Sequence, residues 1–251
     1  MNKPFPPPGL QLIVFGKTRD FSKTEEIESV LTRVAEIGYA SVEMGAAHPE
    51  FLRRTLEKNH LTHAGTHVVI SSNIDRKKMI QEMAVTGARD VCNSGLLKWG
   101  NLTADDYRES IKVLNTLGRE LHREGISFHY HNHEFEFARV DGNQTGMDLL
   151  LEGLDFSVID LCVDIGWVDR AGLNPAQFLK DHADRIGYLH LKDHDGTDWT
   201  ELGRGRVDFG SCDFTGLPRL RHVVVEQDST KIDPFESIRI SREFLRNNYR
   251  I

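Results

Sequence analysis

The sequence has few of the residues that would assign it to a secreted or disulfide-rich class. Cysteine occurs only three times in 251 residues, at Cys92, Cys162 and Cys212, which are far apart and odd in number. Such cysteines are typical of buried thiols in a reducing compartment. Residues 1–10 are Pro-rich and lack a cationic region followed by an apolar one, so no secretory signal is expected. The sequence predicts a cytoplasmic protein.

Positive charge and long apolar runs are also scarce. The chain has 31 Lys and Arg against 38 Asp and Glu, a formal net charge of −7. Nucleic acids and anionic membranes are bound largely through basic surfaces, so neither is expected as a partner. Apolar runs such as residues 223–225 are far shorter than the ~20 residues of a membrane-spanning helix. The composition is that of an ordinary globular protein.

A dinucleotide-binding turn is absent as well. Phe15-Gly16-Lys17-Thr18-Arg19 follows the first predicted strand, where an open doubly wound sheet would have Gly-x-Gly-x-x-Gly. What the chain does have is alternation, because short runs rich in Val, Ile and Leu recur between amphipathic segments. Eight strands are predicted, over residues 10–15, 41–44, 63–69, 90–93, 127–131, 158–163, 186–191 and 223–226.

The segments between these strands carry signals for helix ends. Ser22 and Glu25 have the spacing of a capping box, and Gly38 lies where a C-terminal glycine would end that helix. Further helices are predicted from Thr103 with Asp106, Asn174-Pro175 with Gln177, and Asp233-Pro234 with Glu236, and more weakly over residues 49–59, 75–85 and 145–150.

Strand and helix thus alternate about eight times with roughly 31 residues per unit, close to a minimal βα module. A closed (β/α)8 barrel reaches about 250 residues as one domain. The sequence therefore predicts a single TIM-barrel domain over residues 1–251. Residues 193–214 form a longer, Gly-containing connection, which is typical of a functional loop.

The ends of the predicted strands carry unusual polar residues. In a (β/α)8 barrel, side chains at the carboxyl ends of the strands face a shared mouth. Burying three His at alternate positions of one strand would require a hydrogen-bond partner for each of them. The polar residues at the ends of the fifth to eighth strands are His129, His131, His133, Glu134, Glu136, Asp164, His190, Lys192, Asp193, Glu226 and Asp228.

This set of residue types favours a metal site. Carboxylates with one or two imidazoles form a mixed oxygen and nitrogen ligand set that suits Mn²⁺, Mg²⁺, Co²⁺ or Zn²⁺. Such an ion polarises adjacent hydroxyl and carbonyl oxygens, which acidifies the C–H between them and stabilises an enediolate. The sequence therefore predicts a divalent ion and a small hydroxylated substrate at the mouth.

With these residues in view, the chain resembles the sugar phosphate isomerase/epimerase family of xylose isomerase-like barrels, which also includes AP endonuclease-type barrels. The resemblance covers nearly the whole chain. It is carried by Gly38-Tyr39-Ala40-Ser41-Val42-Glu43, Tyr130-His131-Asn132-His133, Val163-Asp164-Ile165-Gly166-Trp167, His190-Leu191-Lys192-Asp193 and Val225-Glu226.

The resemblance implies one divalent ion held by one residue from each of the fifth to eighth strands. Asp164, His190 and Glu226 match the ligands of the last three. The fifth strand differs, because many relatives have Glu-Asn where this chain has His131-Asn132. The fourth ligand is therefore His131 itself, or Glu134 or Glu136 from the following loop.

The resemblance further implies an isomerase or epimerase that acts on a sugar, sugar phosphate or keto-sugar. Glu226 would be one base and His131 or His133 the other, with a proton removed next to a carbonyl held at the ion. A dehydratase or keto-glycoside lyase would use the same site. A sugar-binding barrel without catalysis is a further alternative, and the acidic charge disfavours an abasic-site endonuclease. The resemblance is also compatible with a homo-oligomer.

Further mouth residues are predicted to contact a carbohydrate substrate. Glu43 ends the second strand and His67 the third, while Trp167 offers an apolar wall for a sugar face. Lys192 shares a strand face with His190, and Arg204 in the long loop would favour an anionic group, as would Arg206. The structural alternatives are salt bridges for Glu43 and Lys192, packing roles for His67 and Trp167, and a solvated loop for Arg204.

Overall fold

The computed structural model describes residues 5–70 and 75–249 of the chain. Eight parallel strands form a barrel: β1 Pro8–Gln11, β2 Ser41–Glu43, β3 Thr62–Val68, β4 Asp90–Ser94, β5 Ser127–His131, β6 Ile159–Asp164, β7 Ile186–Leu191 and β8 His222–Val225. Consecutive strands pair, and β1 also pairs with β8, which closes the sheet. This arrangement confirms the predicted (β/α)8 fold.

Helices connect the strands, and several begin where local capping predicts. Thr103 and Asp106 form a reciprocal capping box, and the Asn174 side chain accepts a hydrogen bond from the Gln177 N–H at 3.0 Å. Gly38 ends the first helix in the left-handed region, with φ of 100°. None of the described helices is long and apolar enough to cross a membrane. The α-helices are α1 Thr24–Ile37, α2 Pro49–Lys58, α3 Arg76–Thr86, α4 Ala104–Arg123, α5 Gly146–Gly153, α6 Ile165–Arg170, α7 Pro175–Asp181 and α8 Pro234–Tyr249.

The prediction for the first strand is wrong in its position. The strand ends at Gln11, and the apolar run Leu12–Phe15 forms a 3-10 helix. The Gln11 side chain accepts a hydrogen bond from the Ile13 N–H at 2.5 Å and so starts the turn. A short apolar run buries itself as well in a helical turn as in a strand, so its sequence pattern does not distinguish the two.

The predicted capping box at Ser22 is also wrong. Helix α1 follows Lys23, whose side chain makes no capping hydrogen bond. Both the N–H and the hydroxyl of Ser22 instead donate to the Asp20 carboxylate, at 3.0 and 2.6 Å. The Asx turn at Asp20 thus takes the serine that the helix would have used.

The long connection after β7 is an ordered element. It contains a hairpin of Asp193–His194 with Trp199–Thr200 and a 3-10 turn over Phe209–Ser211. The buried Asp193 carboxylate organises it by accepting backbone N–H groups at 2.9–3.1 Å from His194, Gly203, Gly205 and Val207. This loop therefore has a fixed path over the barrel mouth.

A small cluster fills the barrel between its two ends. The thiols of Cys92 and Cys162 contribute to this packing. Together with Cys212 they are free and buried, as predicted. The cluster consists of Ala64, Cys92, Cys162, Tyr188 and Val224.

A polar cluster centred on Asp90 lies at the N-terminal end of the barrel. Its carboxylate accepts from His129 Nε2 at 2.8 Å, Arg221 Nη2 at 2.9 Å and His222 Nε2 at 3.2 Å. Burial alone would raise the pKa of Asp90, but hydrogen bonds from His129 and His222 hold it well below its ordinary value. The charged form of Asp90 therefore ties β4, β5 and β8 together.

Replacing Asp90 with Ala is expected to lower the free energy of unfolding at pH 7 by about 2–4 kcal/mol, because it leaves the buried His129 ring nitrogen without its partner and breaks the contacts with Arg221 and His222. A lowered folded-state pKa gives stability that is present above the unfolded pKa and lost as the pH falls toward the folded one. As the pH falls, wild type should therefore lose the stability that the charged Asp90 provides. The variant lacks this contribution at every pH. Urea unfolding at neutral and acidic pH measures this. The exposed Asp141→Asn is the control, and equal unfolding midpoints for Asp90→Ala and wild type would contradict the expectation.

Candidate metal and substrate site

Four polar residues meet at the carboxyl ends of β5 to β8. They are His131, Asp164, His190 and Glu226, and one ligand atom from each lies within 4.8 Å of the others. All four side chains are buried. The structure thus brings together, from four different strands, the residues that the strand-end pattern singled out.

Several polar atoms of this cluster lack a hydrogen-bond partner. Among the described residues, Asp164 Oδ2, His190 Nδ1 and Glu226 Oε2 are buried without a regular hydrogen bond. They make ion-pair contacts instead, His190 Nδ1 with Glu226 Oε2 and Asp164 Oδ2 with the Lys192 ammonium at 3.5 Å. Buried polar atoms are nearly always hydrogen-bonded, and two carboxylates with two imidazoles are a ligand set for a divalent cation. The residues present therefore fit a divalent ion.

Asp164 has a different task for each of its carboxylate oxygens. Oδ1 accepts from the Trp167 N–H at 3.0 Å and caps α6, whereas Oδ2 makes no hydrogen bond and lies 3.5 Å from the Lys192 ammonium. Asn132 fixes the backbone of Asp164, because its amide accepts from the Asp164 N–H at 3.0 Å and donates to the carbonyl at 3.2 Å. Burial raises the pKa of Asp164 to about 6, against the attraction of Lys192.

Glu43 lies behind His190. It is fully buried, and its two oxygens contact His67 Nδ1 at 2.7 Å and His190 Nε2 at 2.9 Å. Burial would raise the pKa of Glu43, but these imidazoles hold it well below its ordinary value. Glu43 thus makes the salt bridges that were its structural alternative, and its contact with substrate stays a prediction. A carboxylate on one ring nitrogen orients the other nitrogen of a metal-binding His.

Lys192 supplies a positive charge within the cluster. Its ammonium is fully buried and lies 2.9 Å from Glu226, 2.9 Å from Asp228 and 3.5 Å from Asp164. Burial would lower the pKa of Lys192, but Glu226, Asp164 and Asp228 raise it, so the side chain stays charged. One ammonium faces three carboxylates, which leaves negative charge that a divalent ion would offset.

The two histidines at the end of β5 differ in exposure. His131 is buried, and burial holds its pKa well below its usual value, so the ring is neutral. The side chain of His133 is 22% exposed, and its ring centroid lies 4.9 Å from that of His131. A neutral His131 suits metal ligation, while His133 remains accessible from the mouth.

The two loop glutamates predicted as alternative ligands are engaged elsewhere. Glu136 accepts from the Tyr130 hydroxyl at 2.9 Å and from the His133 N–H at 2.7 Å, so it stabilises the turn after β5. The exposed Glu134 pairs with Arg170 at 3.4 Å. Of the three predicted candidates from the fifth strand, His131 is the one that the fold brings to the cluster.

Two residues at the site were given no individual role in the sequence analysis. Asp228 was named there only as one of the polar residues near the end of the eighth strand, and it contacts Lys192 at 2.9 Å. Trp199 reaches the site from the hairpin, with its ring centroid 4.5 Å from the Lys192 ammonium, and no sequence signal indicates this. The Arg204 side chain is exposed, and its contact with substrate stays a prediction.

Eight parallel strands with a buried carboxylate and imidazole cluster at their carboxyl ends define a (β/α)8 barrel with a candidate metal site. A family model described as a xylose isomerase-like TIM barrel matches residues 31–224, and the chain belongs to this family.

Individual proteins are also similar to the chain. An inosose dehydratase of Geobacillus kaustophilus (strain HTA426) is 25% identical, over 76% of this chain and 69% of its own. A sugar phosphate isomerase/epimerase from Parabacteroides distasonis ATCC 8503 has a TM-score of 0.80 at 19% identity, covering 98% of this chain and 95% of its own. The IOLI protein, solved with a bound zinc atom, has a TM-score of 0.73 at 14% identity, covering 96% and 97%. At these identities the two solved structures establish the likeness of the fold.

Proposed function

We propose that this protein is a divalent-metal-dependent enzyme that removes a proton next to the carbonyl of a keto-sugar and acts as an isomerase or epimerase. The observation that carries the proposal is the meeting of four buried side chains, His131, Asp164, His190 and Glu226, whose ligand atoms lie within 4.8 Å of one another. The zinc atom of the IOLI structure supports a divalent ion.

The four clustered residues would hold the ion. When bound, it supplies polarisation of substrate oxygens, which acidifies the neighbouring C–H. Glu43 orients His190, and Asn132 with the Trp167 N–H fixes Asp164. These contacts hold the ligand side chains in place before any substrate arrives, as preorganised catalysis requires.

Glu226 and His133 would transfer the protons. Burial would raise the pKa of Glu226, but Lys192 and His190 hold it well below its ordinary value, so the carboxylate is ionised and able to accept a proton. His131 is among the proposed ligands and His67 is paired with Glu43, which leaves His133 to deliver or remove a proton at the other side of the substrate. Epimerisation needs two such groups, because the proton leaves one face and returns on the other.

A dehydratase is the second candidate, and the inosose dehydratase relative favours it. Elimination begins with the same proton removal, after which an acid protonates the departing hydroxyl. His133 has the exposure to provide that proton. The substrate would then be a keto-sugar or a cyclic polyol ketone, and the product would be lighter by one water.

Solvent deuterium incorporation tests the proposed chemistry. The protein is incubated in D₂O with Mn²⁺, Mg²⁺, Co²⁺ or Zn²⁺ and a panel of keto-sugars and inosose, and products are analysed by NMR and mass spectrometry. Incorporation next to the carbonyl without loss of mass supports the isomerase or epimerase, and loss of water supports the dehydratase. The proposal would be overturned if the protein bound the sugars but incorporated no deuterium into them in the presence of any of the four metals.

A further inference from the structure

Aromatic side chains from four consecutive mouth loops form a continuous surface beside the candidate site. Trp99 comes from the loop after β4, His133 and Phe135 from the loop after β5, Trp167 from α6 and Trp199 from the hairpin after β7. We call these five residues the aromatic arc. They occupy one side of the mouth, whereas Glu43 and His67 lie on the side of β2 and β3.

Ring contacts link the aromatic arc to the ligand cluster. His133 lies 4.9 Å from His131 between ring centroids and 5.5 Å from Trp167, which in turn lies 4.5 Å from Trp199. On the outer side, Trp99 contacts His133 at 5.9 Å and Phe135 at 5.5 Å. The arc therefore begins one ring away from the proposed metal ligands and runs outward.

The outer part of the arc borders a cavity. Its volume of about 470 Å³ is within the usual range for small-molecule sites. The Trp99 side chain in this cavity is 55% exposed, an uncommon position for the largest aromatic residue. The lining residues are Trp99, His133, Glu134, Phe135, Ala138 and Trp167.

The backbone is adapted to hold Trp99 in this position. Gly95 has φ of +88°, and a Cβ atom there would lie 2.5 Å from the Trp99 ring. A residue with a side chain at position 95 would therefore displace the indole. The close approach keeps Trp99 over the loop while its other face is open to the cavity.

Unpartnered polar atoms accompany these apolar faces. Within the described residues, the indole Nε1 of Trp167 and the Nδ1 of His133 are buried without a hydrogen-bond partner. A ligand that suits this surface has a flat apolar face for the rings and hydroxyl groups for the two nitrogens. The polar cluster of His131, Lys192 and Glu226, with His133, would meet the reacting keto-sugar, so the outer residues of the arc, Trp99 and Phe135, are available for a second ring attached to it.

We propose that the aromatic arc binds a ring joined to the reacting keto-sugar through a glycosidic bond, so that the substrate is a keto-glycoside. This inference rests on the proposed function. Two chemical sources provide a flat ring at that position, a second pyranose and an aryl aglycone. Both would cover the exposed face of Trp99, which a free monosaccharide at the metal cluster would leave in water.

The test compares a free keto-hexose, its keto-disaccharide and its phenyl glycoside in the deuterium exchange assay. For wild type we expect kcat/KM at least about tenfold higher for one of the glycosides, which corresponds to burial of one aromatic face. Preference for the disaccharide identifies the pyranose, and preference for the phenyl glycoside identifies the aryl group. In Trp99→Ala this preference should fall to about twofold or less. Ile232→Ala, an exposed apolar residue in the loop after β8, is the control and should keep the full preference.

Equal kcat/KM for all three substrates in wild type, or a preference that Trp99→Ala leaves intact, would overturn the inference while the proposed function stands. A second measurement covers the reverse case, in which no substrate exchanges protons. Binding of phenyl glucoside and cellobiose to both proteins is then followed by isothermal titration calorimetry. Binding that weakens at least about tenfold in Trp99→Ala supports the arc without the proposed chemistry, and unchanged or absent binding removes both.

Discussion

Replacing Asp164 with Asn is expected to empty the proposed metal site and to stop catalysis without unfolding the protein. The asparagine keeps an oxygen that can accept the Trp167 N–H and cap α6, as Oδ1 does at 3.0 Å in wild type. At the position of Oδ2 it brings an amide NH₂, which cannot bind a cation. A bound ion contributes several kcal/mol of transition-state stabilisation, so turnover should fall by about 10³-fold or more.

Metal analysis after dialysis against a trace divalent ion measures this effect, and circular dichroism checks the fold. Asp228→Asn is the matched control, since Asp228 also contacts Lys192 at 2.9 Å but is outside the four-residue cluster. The control should retain one ion per chain, and Asp164→Asn should retain none. A full complement of metal in Asp164→Asn would refute the site.

Replacing His133 with Asn is expected to separate proton transfer from metal binding. His133 lies next to His131 but is not one of the clustered ligands, so the metal content should stay unchanged. A positioned acid or base contributes about 10²–10⁴-fold to a proton-transfer reaction, and kcat should fall by that factor. Glu226 remains, so the variant should still exchange deuterium from the face that the carboxylate serves.

Steady-state kinetics together with deuterium incorporation into each epimer measures this outcome. His122→Asn, at an exposed position of α4, is the control for loss of an imidazole and should behave as wild type. If kcat of His133→Asn stays within about twofold of wild type, His133 is not the second acid or base. If its metal is lost, His133 belongs to the ligand set.

Local sequence signals predicted the elements whose ends depend on neighbouring residues. The capping box at Thr103 and the asparagine cap at Asn174 involve contacts three residues apart, and both are present in the structure. The first strand was misplaced because its limit depends on the Gln11 side chain, which turns the chain at a point that hydrophobic periodicity cannot detect. Similarly, Asp20 removes Ser22 from the predicted cap.

For the site as well, the sequence predicted the features that depend on local pattern and missed those that depend on distant contacts. The shared mouth of a barrel was sufficient to place Asp164, His190 and Glu226 among the polar residues of one site, because every strand of this fold delivers its end to the same place, and the family resemblance singled them out as ligands. Glu43 depends on a contact with His190 across 147 residues of sequence, and no local pattern reports it. Glu136 was proposed as a ligand because it lies near His133 in sequence, but the turn folds its carboxylate back onto Tyr130.

The manner in which Asp193 holds the loop after β7 has a consequence for how this barrel can diversify. Within the described residues, the hydrogen bonds to its carboxylate come from main-chain N–H groups, which every residue other than proline provides. The anchor is therefore insensitive to most side chains in the loop, apart from Gly203 and Gly205, where a Cβ would meet Phe244 and Asp193 respectively. Substitutions can then change the side chains that this loop presents, Trp199 among them, without changing the path of its backbone. The Asp193 side chain thus fixes the backbone of the loop, while most of the side chains that the loop presents are free to change.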